Sequence, residues 1–312
     1  MQKDQLFALK EHSHGTKTFP CAVYKTRAIQ KGTMVKHHWH EEVEILYFYG
    51  GTFQLKINME QFPITSECLY FINPGELHSI ISKQSDNLEE DAVVFDPGLL
   101  SFESYDAAQM KLIQPIRNGK LLFPRCILPD HPAFVPVRDA FMEIMNSFSS
   151  GRKLYNECLA DGVVTDDMIN QLYIKSALLK ILAILSSAQL FTSTEKNYDK
   201  RIEGIKAALT YIKENYKEKI YVRDLSNLLN MNEQYFCRFF KKAIGRSPMD
   251  YVNEYRIKQA AKLLEETDMS VTEICLECGF HNIGNFLREF KKYMDTTPLQ
   301  YRKNFPAILE ER

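Results

Sequence analysis

Phe236-Cys237-Arg238-Phe239-Phe240-Lys241-Lys242 and Phe286-Leu287-Arg288-Glu289-Phe290-Lys291-Lys292 follow one pattern, Phe-x-Arg-x-Phe-Lys-Lys, about fifty positions apart. The two Phe of each copy are spaced i, i+4, so on a helix they lie on one face. The Arg and the first Lys are three apart and lie together on another face. Each copy predicts a helix anchored by aromatics and cationic on its outer side. One copy alone reads as a solvated surface helix. Two copies in matching surroundings read as a duplicated unit.

The surroundings do match. Val222-Arg223-Asp224-Leu225 precedes the first copy and Val271-Thr272-Glu273-Ile274 the second. A turn follows each, Asn230-Met231-Asn232 in one and Gly279-Phe280-His281-Asn282 in the other. After each copy comes a hydroxyl-Pro pair, Ser247-Pro248 and Thr297-Pro298, which is a helix-start signal. Short helix, turn, amphipathic basic helix is a helix-turn-helix, and there are two. The second helices are expected over about 232–244 and 282–293. Between the units, Tyr251, Val252, Tyr255, Ile257, Ala260, Ala261, Leu263 and Leu264 recur with helical period from Pro248 to about Glu266. Such a helix is roughly 28 Å long, near the ~34 Å that separates equivalent major-groove faces one turn apart.

Helix-turn-helix proteins read bases with the exposed N-terminal part of the second helix. The outward positions are Gln234, Cys237 and Arg238 in the first unit and Ile283, Leu287 and Arg288 in the second. Arg matches guanine, Gln matches adenine, and Ile or Leu suits a thymine methyl. Lys241, Lys242, Lys291 and Lys292 suit phosphates, which add affinity without sequence information. Asn232 and Asn282 read as N-caps whose helix ends can face phosphate.

In order and spacing, Ile274-Cys275-x-x-Cys278-Gly279-Phe280, the Phe-x-Arg-x-Phe-Lys-Lys at 286–292 and Thr297-Pro298-x-x-Tyr301-Arg302 resemble the signature of the AraC/XylS family of bacterial transcription regulators. The likeness covers residues 200–306, about a third of the chain. Cys275 stands where that family more often has Ala, a swap between small residues. The resemblance implies double-stranded promoter DNA as a partner, a small-molecule effector, a second copy of the chain, and RNA polymerase where the regulator activates. Cys275-x-x-Cys278 by itself also fits a redox pair or half a zinc site. No second Cys or His pair accompanies it at zinc spacing, so small residues between packed helices are the simpler reading.

Net charge is −1 over 312 residues, with seven Cys. From residue 199 onward 20 Lys and Arg face 17 Asp and Glu, and the rest carries 19 against 23. So mild an excess makes a basic surface a matter of placement. No apolar signal segment opens the chain, and the most apolar run, Ala177 to Leu185, falls short of the ~20 residues that span a bilayer. The expectation is a cytoplasmic protein with reduced thiols and no membrane partner.

Residues 19 to about 100 alternate short β-rich runs with turns. Val43–Tyr49, Phe53–Ile57, Glu67–Ile72 and Ala92–Phe95 are punctuated by Gly50-Gly51, Asn73-Pro74-Gly75 and Pro97-Gly98. A small barrel or jelly roll follows. Within it His38, His40, Glu44 and His78 form a three-His, one-carboxylate set. If one strand continues through them, His38, His40 and Glu44 share a face. The spacing Gly32-x5-His38-x-His40-x3-Glu44-x6-Gly51 resembles the first cupin motif, and Pro74-Gly75-x-x-His78 the second, with Ser66 near an expected Gly. Three readings stay open: a divalent transition metal on these ligands, a small polar ligand, a sugar among the candidates, bound directly, or groups that hydrogen-bond one another. His37 falls on the opposite face.

Phe134–Phe148 carries Val137, Phe141, Ile144 and Met145 at helical spacing. Residues 166–190 are helical and apolar on more than one face. That helix either dimerises the protein or is buried wholly in its own domain. Phe191 to about Asp199 loses the period and reads as a linker. The sequence thus predicts an α+β multidomain chain. A cupin-like domain over 1–165 is followed by a helical dimerisation segment over 166–190, a linker over 191–199 and an all-α double helix-turn-helix domain over 200–306. A competing class is a cupin enzyme with a regulatory tail, but no catalytic dyad stands apart from the cupin set.

Overall fold

The computed structural model describes residues 14–29, 32–82, 87–148, 159–193 and 200–304. These fall into two compact units, one running to Tyr198 and one from Asp199.

In the first unit the strands are β1 (Cys21–Ile29), β2 (Gly32–His38), β3 (Val43–Gly50), β4 (Phe53–Ile57), β5 (Glu60–Ile64), β6 (Cys68–Ile72), β7 (His78–Ser82) and β8 (Asn87–Phe95). Two-residue strands β9 (Leu121–Leu122) and β10 (Cys126–Ile127) follow, then β11 (Leu159–Val163) and β12 (Thr192–Ser193). A six-stranded antiparallel sheet of order β10-β6-β3-β8-β1-β11 lies against a four-stranded one of order β2-β7-β4-β5, and β12 pairs with β9. Alternation along β3 decides what goes where. Leu46 and Phe48 point between the sheets, where Phe53, Leu55, Ile57, Ile64, Ile72 and Ile80 complete the filling. Ile45 and Tyr47 point outward into a second core.

Helices supply the far side of that second core. A π-helical turn, Gln109–Ile113, runs into α1 (Gln114–Arg117), and α2 (Phe134–Phe148) and α3 (Met168–Ser187) come later. Phe134, Phe141 and Ile144 of α2 pack with Ile174, Leu178, Ile181, Leu182 and Leu185 of α3 against the sheet. The burial that α3 needs is therefore met largely within its own unit. Met168, Ile169, Leu172 and Tyr173, one face of its first turns, stay exposed. The helix is also longer than the apolar run that stands out in the sequence, and by length and composition it is long enough and apolar enough to cross a membrane. The first residues of the expected linker are engaged as well. Thr192 and Ser193 form β12, and the Phe191 ring stands 5.2 Å edge-on from Phe123. Residues 194–199 lie outside those described.

The second unit comprises α4 (Lys200–Asn215), α5 (Val222–Leu228), α6 (Glu233–Ile244), α7 (Pro248–Glu266), α8 (Val271–Glu277), α9 (Ile283–Met294) and α10 (Pro298–Asn304). Caps set the boundaries. Ser247 Oγ accepts the Asp250 N–H at 3.2 Å, and Pro248 opens α7. The α6 and α9 helices end in left-handed residues, Gly245 at φ 87° and Asp295 at φ 55°. In the second turn Gly279 is obligatory: φ is 76°, and a Cβ there would sit 2.5 Å from the Tyr216 carbonyl oxygen. Buried Arg256 closes the preceding chain end, donating to Tyr216 O at 2.7 Å and Glu218 O at 2.6 Å. Arg302 does the same for Leu264 O at 3.4 Å and Met269 O at 2.6 Å.

Candidate functional site

The two repeats build one kind of surface twice. In α6, Phe236 and Phe240 are fully buried 5.6 Å apart, and in α9, Phe286 and Phe290 are buried 5.7 Å apart. With these aromatics inward, the helices turn Gln234, Arg238, Lys241 and Lys242, and Ile283, Leu287, Arg288 and Lys291, toward solvent. Cys237 is half-buried, less accessible than Gln234 and Arg238. Asn232 Oδ1 accepts the Tyr235 N–H at 2.8 Å, and Asn282 Oδ1 the Asn285 N–H at 2.9 Å, so both are N-caps. Arg288 is 74% exposed and braced by Asn285 Oδ1 at 2.6 Å. Lys292 is drawn back toward α7, 3.5 Å from Asp250 Oδ1 and 3.4 Å from Glu289 Oε2.

Cys275 and Cys278 are buried, and the Cys275 thiol donates to Phe280 O at 3.6 Å. Burial pushes the Cys278 thiol up to about 12, as suits a small residue packed between helices.

In the first unit the cupin-like set converges, though along a different path from one continuous strand. His38 ends β2 and His40 lies in the following turn. Glu44, on the interior side of β3, reaches in from the other sheet. His78 opens β7 directly across from His38. All four are buried. Ring centroids are 4.1 Å apart for His38 and His78, 5.1 Å for His40 and His78, and 5.6 Å for His38 and His40. His78 Nε2 is 2.9 Å and His40 Nε2 3.6 Å from Glu44 Oε2. His37, half-buried rather than solvated, meets Ser79 Oγ at 3.3 Å.

The tautomers follow from the second sphere. His38 Nδ1 lies 2.9 Å from Lys36 O, His40 Nδ1 3.1 Å from Glu42 O, and His78 Nδ1 2.8 Å from Glu76 O. A carbonyl oxygen only accepts, so each Nδ1 carries a proton and each ring turns its Nε2 inward. At 3.6 Å from Glu44 Oε2, His40 Nε2 completes no hydrogen bond. Burial pushes the Glu44 carboxyl up, and His40 and His78 in their charged forms pull it well below the usual carboxylate range. The inward Nε2 atoms and the Glu44 carboxylate thus form a buried donor set that a bound cation would satisfy. The three imidazoles, oriented by backbone carbonyls, form a group that could hold a divalent transition metal, and the Glu44 carboxylate stands beside two of them.

Sequence spacing gave no sign of His14. Its ring lies 4.8 Å edge-on from His40, its Nδ1 is 2.5 Å from the Tyr24 hydroxyl, and its N–H donates to Glu42 Oε1 at 3.2 Å. His14, His40 and Glu42 form a second group of metal-capable donors beside the first.

Comparison with known proteins agrees with this division. Residues 20–154 match the AraC-like ligand binding domain and residues 225–304 a helix-turn-helix domain, together more than two thirds of the chain. The chain is 27% identical over 293 residues to the uncharacterized HTH-type transcriptional regulator YdeC of Bacillus subtilis strain 168, covering 93% of this chain and 94% of that one. It is 26% identical to the uncharacterized HTH-type transcriptional regulator YdiP of Escherichia coli K12, covering 88% of this chain and 84% of that one. Among solved structures, the C-terminal domain of the response regulator yesN from Fusobacterium nucleatum is 32% identical over 32% of this chain and 98% of its own, with a TM-score of 0.31. The chain belongs to the AraC family of helix-turn-helix transcriptional regulators, pairing a cupin-like ligand-binding domain with a DNA-binding domain.

Proposed function

We propose that this regulator reads two adjacent major-groove segments with α6 and α9, and that a small molecule at the four-ligand centre of the first unit controls the reading. The observation that carries the DNA side is the duplication. Two helices with the same buried Phe pair and the same outward Arg are joined through a 19-residue helix. The residues assigned to bases are Gln234, Cys237, Arg238, Ile283, Leu287 and Arg288. Lys241, Lys242, Lys291 and the N-termini at Asn232 and Asn282 face phosphate, and Lys292 stands behind them. On the sensing side, His38, His40, Glu44 and His78 would hold a divalent transition metal. The metal would supply an anchoring point for an oxygen-bearing effector. The chain's own residues fix the ligand nitrogens and keep the centre buried.

Met168, Ile169, Leu172 and Tyr173 support a homodimer, since an apolar face on the first turns of α3 is left open by its own unit. DNA selection followed by binding of Arg238→Ala and Arg288→Ala tests the assignment. Each should lose preference for the selected site far more than affinity for random DNA. Loss of both in equal measure would show that these arginines hold phosphate instead.

A further inference from the structure

The turn Asn73–His78 does more than supply one ligand. Its Gly75 N–H donates to His40 O at 2.7 Å, and its Glu76 carbonyl holds His78 Nδ1 at 2.8 Å. The turn thus fixes the His78 ring and the backbone of His40, whose ring Glu42 O orients. On its other side Glu76 takes a bidentate pair from Arg125, Nη1 to Oε2 at 2.7 Å and Nη2 to Oε1 at 2.5 Å. Arg125 Nη1 also donates to Phe71 O at 3.0 Å. The same Glu76 Oε2 accepts the Asn73 N–H at 2.8 Å. Buried Asn73 then reaches across to Phe123, accepting its N–H at 2.8 Å and donating to its carbonyl at 3.4 Å.

Phe123 follows directly on β9. Leu121 and Leu122 of that strand pair with Ser193 and Thr192 of β12. The Phe123 ring also packs on Phe191, and stacks on Phe71 at 5.7 Å. Strand β12 is the last described stretch of the first unit, and the described chain resumes in the second unit at residue 200. A continuous series of hydrogen bonds therefore runs from His40 and His78 through Gly75, Glu76 and Asn73 to Phe123, and from β9 to the chain's exit.

We propose that Asn73, Glu76 and Arg125 are positioning residues for the four-ligand centre, and that they tie its occupancy to the pairing of β12 on β9. Filling the centre fixes His40 and His78, which fixes the turn. The turn holds Phe123, and Phe123 holds the strand at which the connection to the DNA-binding unit begins. With the centre empty, the turn has one fewer restraint and β12 pairs less firmly. Among the described residues two pairs hold β12, so a small change in restraint moves its opening equilibrium. The inference rests on the reading of His38, His40, Glu44 and His78 as a metal centre.

The test uses the full chain with Co(II) as probe. Co(II) stoichiometry, hydrogen exchange in peptides covering 119–128 and 188–193, and affinity for a selected DNA site are measured with and without metal. In the wild type, Co(II) should slow exchange at Thr192 and Ser193 and shift DNA affinity about fivefold or more. Asn73→Ala touches none of the ligands, so Co(II) uptake should persist while both responses vanish. Arg125→Lys keeps the charge but loses the fork, and gives the same reading if Asn73→Ala fails to fold. A merely structural role would change DNA affinity equally with and without metal, leaving the ratio intact, and that result overturns the proposal. So does a wild type that binds Co(II) stoichiometrically with no change at 188–193. A wild type that takes up no Co(II) overturns the metal reading itself, and stoichiometry tells the two failures apart.

Discussion

Arg288 and Lys292 sit four residues apart on one helix yet face different tasks. Arg288 projects into solvent, braced by Asn285, whereas Lys292 is bound up with Asp250 and Glu289. Arg288→Ala should cost roughly 1–3 kcal/mol on the preferred site and much less on random DNA. Lys291→Ala should flatten the salt dependence of binding by about one unit of slope, while Lys292→Ala leaves that slope unchanged. Salt titrations of the two lysine variants separate them, and equal slopes would place Lys292 on phosphate after all. In the first unit, Co(II) at about a hundred times its dissociation constant should stabilise the wild type by roughly 2.7 kcal/mol. His38→Ala combined with His78→Ala should abolish this, as read by thermal unfolding and elemental analysis. Metal-independent melting of the wild type would contradict the metal reading. The residues of this centre were legible because motif spacing named all four. Their geometry was not, since the carboxylate crosses from a different sheet. His14 was invisible because only tertiary packing brings it beside His40.

At the scale of elements, the two sides of α3 make opposite predictions. Leu182 is 4% exposed and sits in the core with Phe134 and Ile181, whereas Leu172 is 58% exposed. Leu182→Glu buries a charge with no partner and should cost several kcal/mol, enough to unfold the first unit. Leu172→Glu should leave the fold intact and shift sedimentation from dimer to monomer. A folded Leu172→Glu dimer would place the interface elsewhere. The sequence could not separate these two leucines, because a helix apolar all round carries no period to tell its faces apart. Helices with a clear period were legible: Pro248 to about Glu266 and Phe134–Phe148 are read from the sequence, and the structure has helices at Pro248–Glu266 and Phe134–Phe148. The short strands β9 and β12 had no signal at all. Two residues cannot display alternation, and their pairing depends on a contact across seventy positions of chain.

For the whole molecule, the division into sensing and DNA-binding units was legible from two independent sets of motifs, one rich in His and one in repeated Phe and Arg. The transfer proposed between them was not, because Asn73, Glu76, Arg125 and Phe123 meet only through tertiary contacts that no sequence spacing marks. Deleting residues before Asp199 should leave a fragment that still prefers the selected DNA, more weakly and with no response to metal, since effective concentration from a paired copy is gone. Gel-shift titration checks this, and a fragment with undiminished affinity would remove the first unit from any role in DNA binding. The most direct test of the central claim is a hydroxyl-radical footprint of the full chain on its selected site. The duplicated helices α6 and α9, held by α7, predict protection of two adjacent major-groove segments per monomer, spaced by about one helical turn. Protection confined to a single groove segment would contradict it.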